Sequence, residues 1–257
     1  MHYAYRSWRR EWGTPGARRC GGALVWQMND CWPGISWAVV DYYRVRKPAF
    51  YAMQRVLKPL AISVVRAYDP WTKGHYAISQ SLKYDVWIAS DGCSASLLAQ
   101  KPQVEVELRF VSIQTGQDAF PPQRHTVADV QVNATNVILE NVEIANSHGE
   151  GAFIIVAKLL VNGAVVSRDV DWPQPFKFIS FEEDRGLKVQ LSESRNRIDI
   201  SSQRPVKGLI FSERPGLKFS DNGFDVVPGE EYSIEVEGLE AQEELEWRFL
   251  GIDEHHS

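Results

Sequence analysis

The amino-acid sequence of 257 residues predicts a mostly β protein, in which a short α/β segment precedes two β-sandwich domains. Two observations lead to this fold class. Up to about residue 60, apolar residues follow helical spacing or form one continuous run, whereas beyond it they alternate with polar residues in short stretches. Turn signals separate those stretches, and no convincing helix pattern follows residue 60. Short strands at this spacing are typical of β-sandwiches.

The first predicted element is a helix over Tyr3–Trp12. Ala4, Trp8 and Trp12 recur at intervals of four with arginines between them, which is the spacing of one helix face. Gly13 is placed to end this helix.

The second element is a strand from about Gly22 to Met28. This run is almost continuously apolar and does not alternate, which predicts a strand buried on both faces, as in parallel sheets. A second helix begins at Lys47-Pro48, because proline suits the first turn of a helix. Its predicted buried stripe consists of Phe50, Met53 and Leu57.

Beyond residue 60, apolar residues recur at every second position. The clearest strand is Val104–Phe110, where apolar residues alternate with Glu105, Glu107 and Arg109. Asn162-Gly163 lies between two apolar runs and predicts a two-residue hairpin turn. Further strands are predicted over 84–88, 130–132, 217–219, 224–226 and 232–236.

The length of this β-rich part predicts two domains. Residues 61–257 are about twice the roughly 100 residues of an immunoglobulin-like sandwich. The polar and proline-containing stretch from Asp171 to Arg185 is the best candidate linker. We therefore divide the chain into 1–60, 61–177 and 178–257.

Composition and charge exclude several functions. The 44% hydrophobic and 24% charged content is ordinary for a globular protein, and no apolar run reaches the roughly 18 residues of a membrane-spanning helix. Residues 1–60 carry ten Lys or Arg but only three carboxylates, and these cations are interleaved with Trp and Tyr. We therefore expect no nucleic-acid partner, and expect residues 1–60 to face an acidic neighbour that this chain lacks.

The cysteines and the first residues of the sequence indicate the cellular compartment of the protein. Cys20, Cys31 and Cys93 are too few for a disulfide scaffold, so buried reduced thiols are expected. The first 12 residues have no apolar segment followed by a cleavage site. A cytoplasmic or other intracellular location is expected, with secretion as the alternative. The sequon Asn133-Ala134-Thr135 would be used only in a secreted protein.

A longer motif lies within residues 20–60 and belongs to a match that runs over most of residues 1–60. The string Gly21–Pro33, followed by Ser36–Tyr42 and Lys47-Pro48-Ala49, closely resembles the last strand and last helix of the catalytic (β/α)8 barrel in β-mannosidases of glycoside hydrolase family two. It looks most like the fungal intracellular type. The β-rich remainder of the chain is consistent with this resemblance, because these enzymes have immunoglobulin-like domains after the barrel. Residues 215–230 resemble the last of those domains. The resemblance implies a barrel remnant over 1–60.

The resemblance implies hydrolysis of terminal β-linked mannose with retention, using two glutamates and neither metal nor cofactor. Both glutamates belong to earlier barrel strands, and neither motif is present here. The acidic candidates Glu11, Asp30 and Asp41 lie in other contexts, with Glu11 expected in a surface ion pair. We assign no catalytic residue and expect this chain alone to be inactive. The implied partners are β-mannoside oligosaccharides or glycoprotein-derived glycans, with a homodimer as a further option.

The resemblance also implies substrate-binding residues. Active sites lie at the C-terminal ends of barrel strands, where Trp26, Asn29 and Asp30 would fall. By resemblance, Trp26 forms an apolar wall against the mannose, and the polar neighbours fix its hydroxyl groups. Packing for Trp26, and local backbone bonding for the Asn-Asp pair, are the alternatives. Trp32 and Trp37 are expected to be structural.

Two alternatives to an enzyme fragment remain open from the sequence. A free-standing carbohydrate-binding module would need a surface platform of Trp71, Trp87 and Trp172, although packing is favoured for them. The other alternative is a purely structural role for the sandwiches.

The histidines show no metal-ligand spacing: His2, His75, His125 and His148 are scattered, and His255-His256 lies in a polar terminal stretch. One strand with two helices cannot close a barrel. We therefore expect the backbone amides of residues 1–57 to be poorly protected from hydrogen exchange.

Overall fold

The computed structural model describes residues 1–67, 71–72, 75–76, 81–145, 151–173, 176 and 179–251. It contains two compact units. The first-sandwich unit comprises Tyr3–Ala23 and Arg55–Ser180. The second-sandwich unit comprises Met1–His2, Leu24–Gln54 and Phe181–Ser257.

The helices and strands follow in chain order. The helices are α1 His2–Glu11, α2 Pro48–Val56 and α3 Ala95–Leu98, the last preceded by a 3-10 turn over Gly92–Ser94. The strands up to residue 171 are β1 Leu60–Arg66, β2 Trp71–Thr72, β3 His75–Tyr76, β4 Ser81–Ser90, β5 Val104–Ser112, β6 Asp118–Val127, β7 Thr135–Ala145, β8 Phe153–Val161 and β9 Ala164–Asp171. The later strands are β10 Lys188–Leu191, β11 Arg197–Ser201, β12 Val206–Phe211, β13 Lys218–Phe219, β14 Phe224–Val226, β15 Tyr232–Glu237 and β16 Trp247–Arg248.

The first-sandwich unit packs a sheet of order β1-β4-β7 against a sheet of order β6-β5-β8-β9. Neighbouring strands are antiparallel, and β5 pairs with β8 from Val104↔Val161 to Ser112↔Phe153. The predicted alternation in β5 is confirmed, since its apolar side chains are buried in the core with those of β1, β4 and β8. The hairpin is confirmed too, because Asn162 and Gly163 adopt φ angles of 50° and 81°, as a type I′ turn requires.

The two sheets of this unit are joined along one seam by side chains. The backbone N–H of Ile62 donates to Ser167 Oγ at 3.1 Å, and that of Val64 donates to Asp169 Oδ2 at 3.0 Å. Edge strand β1 thus takes hydrogen-bond acceptors from the side chains of edge strand β9.

Helix α1, predicted over Tyr3–Trp12, is confirmed within one residue and packs onto this seam through a buried ion network. Arg6 is only 1% exposed, and its guanidinium donates to Asp169 Oδ2 at 2.7 Å and to Asp171 Oδ1 at 3.1 Å. It also donates to the backbone oxygen of Val64 at 2.7 Å. Arg66 completes the network by donating from Nε to Asp171 Oδ2 at 2.6 Å. Paired and hydrogen-bonded in this way, the charges offset the cost of burial.

This network corrects the expectation that the positive charge of residues 1–60 faces an acidic neighbour outside the chain. The acidic partners of α1 lie within the chain. Besides the carboxylates of Asp169 and Asp171, Arg10 pairs with Asp85 at 2.7 Å. The positive charges of Arg6 and Arg10 are therefore paired with acidic residues of the later part of the same chain.

The end of α1 is held by the sequon residues. Thr135 donates its hydroxyl to the backbone oxygens of Arg9 and Arg10, at 3.1 and 2.9 Å, and its N–H to Gly13 O at 2.8 Å. Trp12 donates its indole N–H to Asn133 Oδ1 at 3.1 Å. These bonds satisfy carbonyl groups that a helix end leaves without partners. The sequon therefore has a structural use, which sequence reasoning missed.

The second-sandwich unit has sheets of order β10-β11-β15-β13 and β14-β12-β16 around a second core. The predicted strands near 218, 225 and 234 are present, but β13 pairs with β15 whereas β14 pairs with β12. The turn at Asp221-Asn222-Gly223 therefore carries the chain from one sheet to the other. Asn222 holds this crossing by bonding both the N–H and the oxygen of Phe211, at 2.8 and 2.9 Å.

The predicted strand from Gly22 to Met28 is wrong for this structure. These residues form no strand, and Leu24 and Trp26 are 94% and 76% exposed. A strand buried on both faces needs a neighbouring strand on each side. Among the described residues, the segment has only an isolated parallel bridge at its end, between Asn29 and Val40.

Several smaller predictions also need correction. Helix α2 buries Met53 as predicted, but it ends before Leu57, which is exposed, and its other buried residues are Tyr51 and Val56. Residues 130–132 form no strand, although Val130 is buried. A short helix, α3, does occur after residue 60. The cysteines are unpaired, but Cys31 and Cys93 are exposed where buried thiols were expected.

Replacing Arg6 tests the buried network. Arg6→Met should lower the free energy of unfolding by about 3 kcal/mol, because it leaves buried carboxylates without their cation. Urea denaturation followed by circular dichroism measures the change. Arg19→Met is the matched control, since Arg19 makes only an exposed contact to Glu11 at 3.7 Å and should change stability by less than about 0.5 kcal/mol. Equal stability of the two variants would contradict the role of the network.

Hydrogen exchange tests which parts of residues 1–57 have protected backbone amides. The network and the bonds from Thr135 lead us to expect backbone amides within α1 to exchange slowly, like those of β5. Residues 22–28 should exchange rapidly, because they lie outside any sheet. Mass spectrometry on peptides covering 5–11, 22–28 and 104–110 measures this. Equal protection of the 22–28 and 104–110 peptides would show that the apolar run is paired after all.

Candidate functional site

The predicted site residues lie in a loop of the second-sandwich unit that is held at its base by backbone hydrogen bonds. Asp30 N–H donates to Val40 O at 3.0 Å, and Val40 N–H donates to Met28 O at 2.9 Å. Lys47 N–H donates to Val39 O at 2.9 Å, which connects the loop to the start of α2. Val39 is buried at this base. Residues 31–37 form the turn between the two bonded segments.

The carboxylate of Asp30 closes the loop. It is buried, with Oδ1 accepting from the hydroxyl of Ser36 and Oδ2 accepting from Lys47 Nζ at 2.8 Å. Ser36 Oγ in turn accepts from the N–H of Ala38 at 3.0 Å. We call Asp30, Ser36 and Lys47 the carboxylate clasp. Hydrogen bonds from Lys47 and then Ser36 stabilise the ionised form and lower the pKa of Asp30 below its usual range.

The structure gives the three predicted substrate-binding residues different environments. Trp26 is largely exposed, and its peptide bond to Gln27 is cis. Asn29 is exposed and donates to the backbone oxygen of Asp30 at 3.2 Å. Asp30 has each carboxylate oxygen engaged within the chain. The arrangement therefore presents an indole and an amide at the surface, with the carboxylate holding the backbone below them.

The rest of the loop is an exposed apolar surface. Trp32 and Trp37, expected to be structural, are exposed, and Ile35 at the turn is fully exposed. We call Leu24, Trp26, Trp32, Ile35 and Trp37 the aromatic loop surface. These five exposed apolar residues lie between positions 24 and 37 of the chain, and exposed apolar patches mark sites of ligand or protein contact.

Sequence reasoning missed two members of the clasp. Ser36 and Lys47 lie 6 and 17 residues after Asp30, at separations that match neither helical nor strand spacing. Both residues lie in the motif that carries the family resemblance, but the sequence assigned neither of them a role in the site. A lysine there can reach the preceding loop, but the sequence does not say which carboxylate it meets.

The tryptophan platform is not formed by Trp87 and Trp172, which are 1% and 0% exposed. The side chain of Trp71 lies outside the described part of the chain. The surface of the sheet containing β5 instead carries charged side chains, with Glu107 bonded to Arg124 at 2.8 Å and within 3.5 Å of Lys158. Packing is therefore the role of the two described tryptophans, and the carbohydrate-binding module loses its main support.

In the described ranges, no three His, Cys, Asp or Glu side chains are grouped as a metal site would require. His148, His255 and His256 lie outside those ranges, as does the side chain of His75. Over the same ranges, no helix has the length and apolar character needed to cross a membrane.

Comparison with protein families identifies the class of both sandwiches. Residues 82–177 match the model of the mannosidase Ig/CBM-like domain, and residues 183–248 match that of an Ig-fold domain. The chain is therefore a mostly β protein with two immunoglobulin-like domains, as predicted. The barrel remnant is not among these matches.

Curated relatives identify the larger protein in which such domains occur. The chain is 44% identical to β-mannosidase B of Aspergillus niger over 98% of its length and 29% of that protein. The identity is 44% to β-mannosidase B of Aspergillus flavus and 43% to that of Emericella nidulans, with the same coverage. The chain is homologous to the C-terminal portion of fungal β-mannosidase B. It spans about 29% of the length of these relatives.

A solved structure supports the fold. The crystal structure of β-D-mannosidase from Dictyoglomus thermophilum aligns with a TM-score of 0.67 and 15% sequence identity. The alignment covers 97% of this chain and 28% of that one. At this identity the likeness concerns the fold.

The clasp can be tested by removing its charge. Asp30→Asn should make the amides of Asp30 and Val40 exchange about tenfold faster, because the charge-assisted bond from Lys47 is lost. Since folding lowers the pKa of Asp30, the clasp should be intact above the ordinary aspartate pKa of about 3.9 and weaken as pH falls through the lower folded-state value. Hydrogen exchange read by NMR at several pH values measures both effects.

The matched control for this test is Asp199→Asn. Asp199 belongs to the same unit and pairs with Arg197 at 3.1 Å, but that pair is exposed and distant in sequence from the loop. It should leave the exchange of Asp30 and Val40 unchanged. Unchanged exchange in Asp30→Asn as well would show that the backbone bonds hold the loop without the carboxylate.

Proposed function

We propose that this chain serves as the C-terminal portion of a retaining β-mannosidase that hydrolyses terminal, non-reducing β-D-mannose residues. In this role it supplies a wall of the substrate site and two accessory sandwich domains, while the catalytic glutamates come from elsewhere in the enzyme. The main support is homology to fungal β-mannosidase B along 98% of the chain.

The aromatic loop surface supports a barrel context for residues 1–60. An apolar run that is exposed here gains burial if strands of a (β/α)8 barrel lie on both sides of it. Because active sites occupy the C-terminal ends of barrel strands, the run would carry Trp26 and Asn29 to the substrate. We accordingly assign 1–60 to the end of the barrel, 61–177 to the first sandwich and 178–257 to the last.

Within that site, Trp26 and Asn29 have the chemistry to contact a sugar. A flat indole suits the C–H face of a pyranose, and an amide can donate to and accept from hydroxyl groups. Asp30 was predicted to bind substrate as well, but its engaged carboxylate better suits the positioning of the loop. We therefore assign the sugar contacts to Trp26 and Asn29 and the support of the loop to Asp30.

The three carboxylates of residues 1–60 have other roles, which supports the assignment of no catalytic residue to this chain. A retaining glycosidase needs two carboxyl groups about 5–5.5 Å apart, one as nucleophile and one as acid/base. Asp30 is held in the clasp, and Asp41 accepts from the N–H of Val45 at 2.8 Å. Glu11 makes the predicted surface pair with Arg19.

The substrates of the whole enzyme would be β-mannoside oligosaccharides or glycans derived from glycoproteins. The chemistry requires neither metal nor cofactor, because the carboxyl groups supply both proton transfer and nucleophile. We place the enzyme inside the cell, where the unpaired Cys31 and Cys93 at the surface would remain reduced.

A chimeric enzyme tests this function. The chain should replace the homologous C-terminal portion of Aspergillus niger β-mannosidase B and retain hydrolysis of an aryl β-mannoside. The isolated chain should show no turnover above background. In the chimera, Trp26→Ala should lower kcat/KM by about 10- to 100-fold, the worth of one aromatic contact.

The exposed Arg197→Ala provides the control variant, and its kcat/KM should equal that of the parent chimera. A chimera that folds, judged by circular dichroism, yet does not cleave the substrate would overturn the proposal. Turnover by the isolated chain would contradict the assignment of the catalytic carboxylates outside it.

A further inference from the structure

Helix α2 rests on strand β13 and on the turn that follows it in the second sandwich. Tyr51, in the middle of the helix, is 0% exposed, and its hydroxyl donates to the backbone oxygen of Phe219 at 3.3 Å. At the start of the helix, a Cβ atom placed on Gly223 would lie only 3.1 Å from Pro48 Cβ. Gly223 also has a φ of 62°, a backbone angle that favours glycine. The helix and the turn therefore fit closely at two points.

The hydroxyl of Tyr51 belongs to a polar network around this turn. Burial, and then the hydrogen bond to Glu213, raise the pKa of Tyr51, so the hydroxyl keeps its proton and can donate it. Glu213 Oε1 also accepts from Asn222 Nδ2 at 2.9 Å. Asn222 is the side chain that bonds Phe211 and so holds the crossing between the two sheets. One hydroxyl thus connects α2 to the residues that fix the fold of the second sandwich.

The start of α2 leads in turn to the carboxylate clasp. Lys47 immediately precedes the helix, and its Nζ donates to Asp30 Oδ2 at 2.8 Å. The backbone oxygen of Lys47 accepts from the N–H of Phe50 at 2.8 Å, in the first turn of the helix. Its own N–H donates to Val39 O at 2.9 Å, at the base of the loop. Because Lys47 is bonded to the helix on one side and to the loop on the other, the position of α2 sets the position of the loop.

We propose that the last sandwich positions the sugar-binding loop, and that Tyr51 is the positioning residue that carries this support through Lys47 to Asp30. This role rests on the function proposed above, because Trp26 and Asn29 are the groups that would be held in place. Tyr51 itself would contact no sugar, since it is buried against the sandwich. Such support matters for binding, because misplacing a contacting group by about 1 Å can lower activity about 100-fold.

The variant Tyr51→Phe tests this support in the full chain without any need for catalysis. It removes one hydroxyl and keeps the ring, so the amides of Asp30 and Val40 should exchange about three- to tenfold faster, the worth of one hydrogen bond. Hydrogen exchange read by NMR measures this. The matched control is Tyr84→Phe, which removes a hydroxyl from a tyrosine that is 1% exposed in the first sandwich and should leave both amides unchanged.

A second background shows whether the support runs through the clasp. In Asp30→Asn, the change Tyr51→Phe should add no further acceleration at Val40, because the connection through the carboxylate is already cut. Should Tyr51→Phe fail to fold, Glu213→Gln replaces it and should give the same pattern. Unchanged exchange of the loop amides, or the same acceleration in Tyr84→Phe, would overturn the positioning role.

The chimeric enzyme provides a readout that packing alone would not move. Tyr51→Phe should raise KM about three- to tenfold and leave kcat unchanged, as when a contact made in both the ground state and the transition state is loosened. In a Trp26→Ala background the two effects on KM should not multiply, because the main group being positioned is absent.

Two results in the chimera would contradict the proposal. A lower melting temperature of Tyr51→Phe with unchanged KM would identify Tyr51 as a packing residue, and effects on KM that multiply with those of Trp26→Ala would show that the two residues act independently. An inactive parent chimera would refute the proposed function alone, because the exchange experiment tests the connection from the sandwich to the loop by itself.

Discussion

The buried ion network around Arg6 is the interaction on which the first sandwich depends. It joins a helix at the beginning of the chain to strands β1 and β9, and it does so with two arginines and two aspartates that have almost no contact with water. Removing any one charge leaves the others buried and unbalanced, so the helix and the sheet edges are required together. The N-terminal helix is therefore held against the edge strands of the first sandwich by paired charges.

In the second unit, a buried carboxylate holds a loop in place and does not join a helix to a sheet. Asp30 gives both oxygens to residues of its own loop, and the loop then carries tryptophans that remain exposed. A hydrogen-bonded base beneath exposed apolar side chains is the arrangement expected of a contact site, since it positions the side chains before a partner or ligand arrives. In the proposed enzyme the partner is the remainder of the barrel and the ligand is the terminal mannose.

Local patterns predicted much of the fold because their cause is local. The alternation in β5 and the Asn162-Gly163 turn follow from side-chain direction and permitted backbone angles, which need no knowledge of the rest of the chain. The ion pair between Arg6 and Asp169 joins residues 163 positions apart, and no pattern in the sequence connects them. The apolar run at 22–28 was predicted as a strand, but a strand depends on neighbours that no described segment supplies. The candidate site was located by family resemblance, whereas Ser36 and Lys47 became visible only in the structure.

The seam between β1 and β9 has a consequence for the behaviour of the protein in solution. Exposed sheet edges present rows of unused N–H groups that recruit strands from other molecules and so start aggregation. Here the N–H groups of Ile62 and Val64 are occupied by Ser167 and Asp169. Two short polar side chains thus keep these two N–H groups from pairing with a strand of a second molecule.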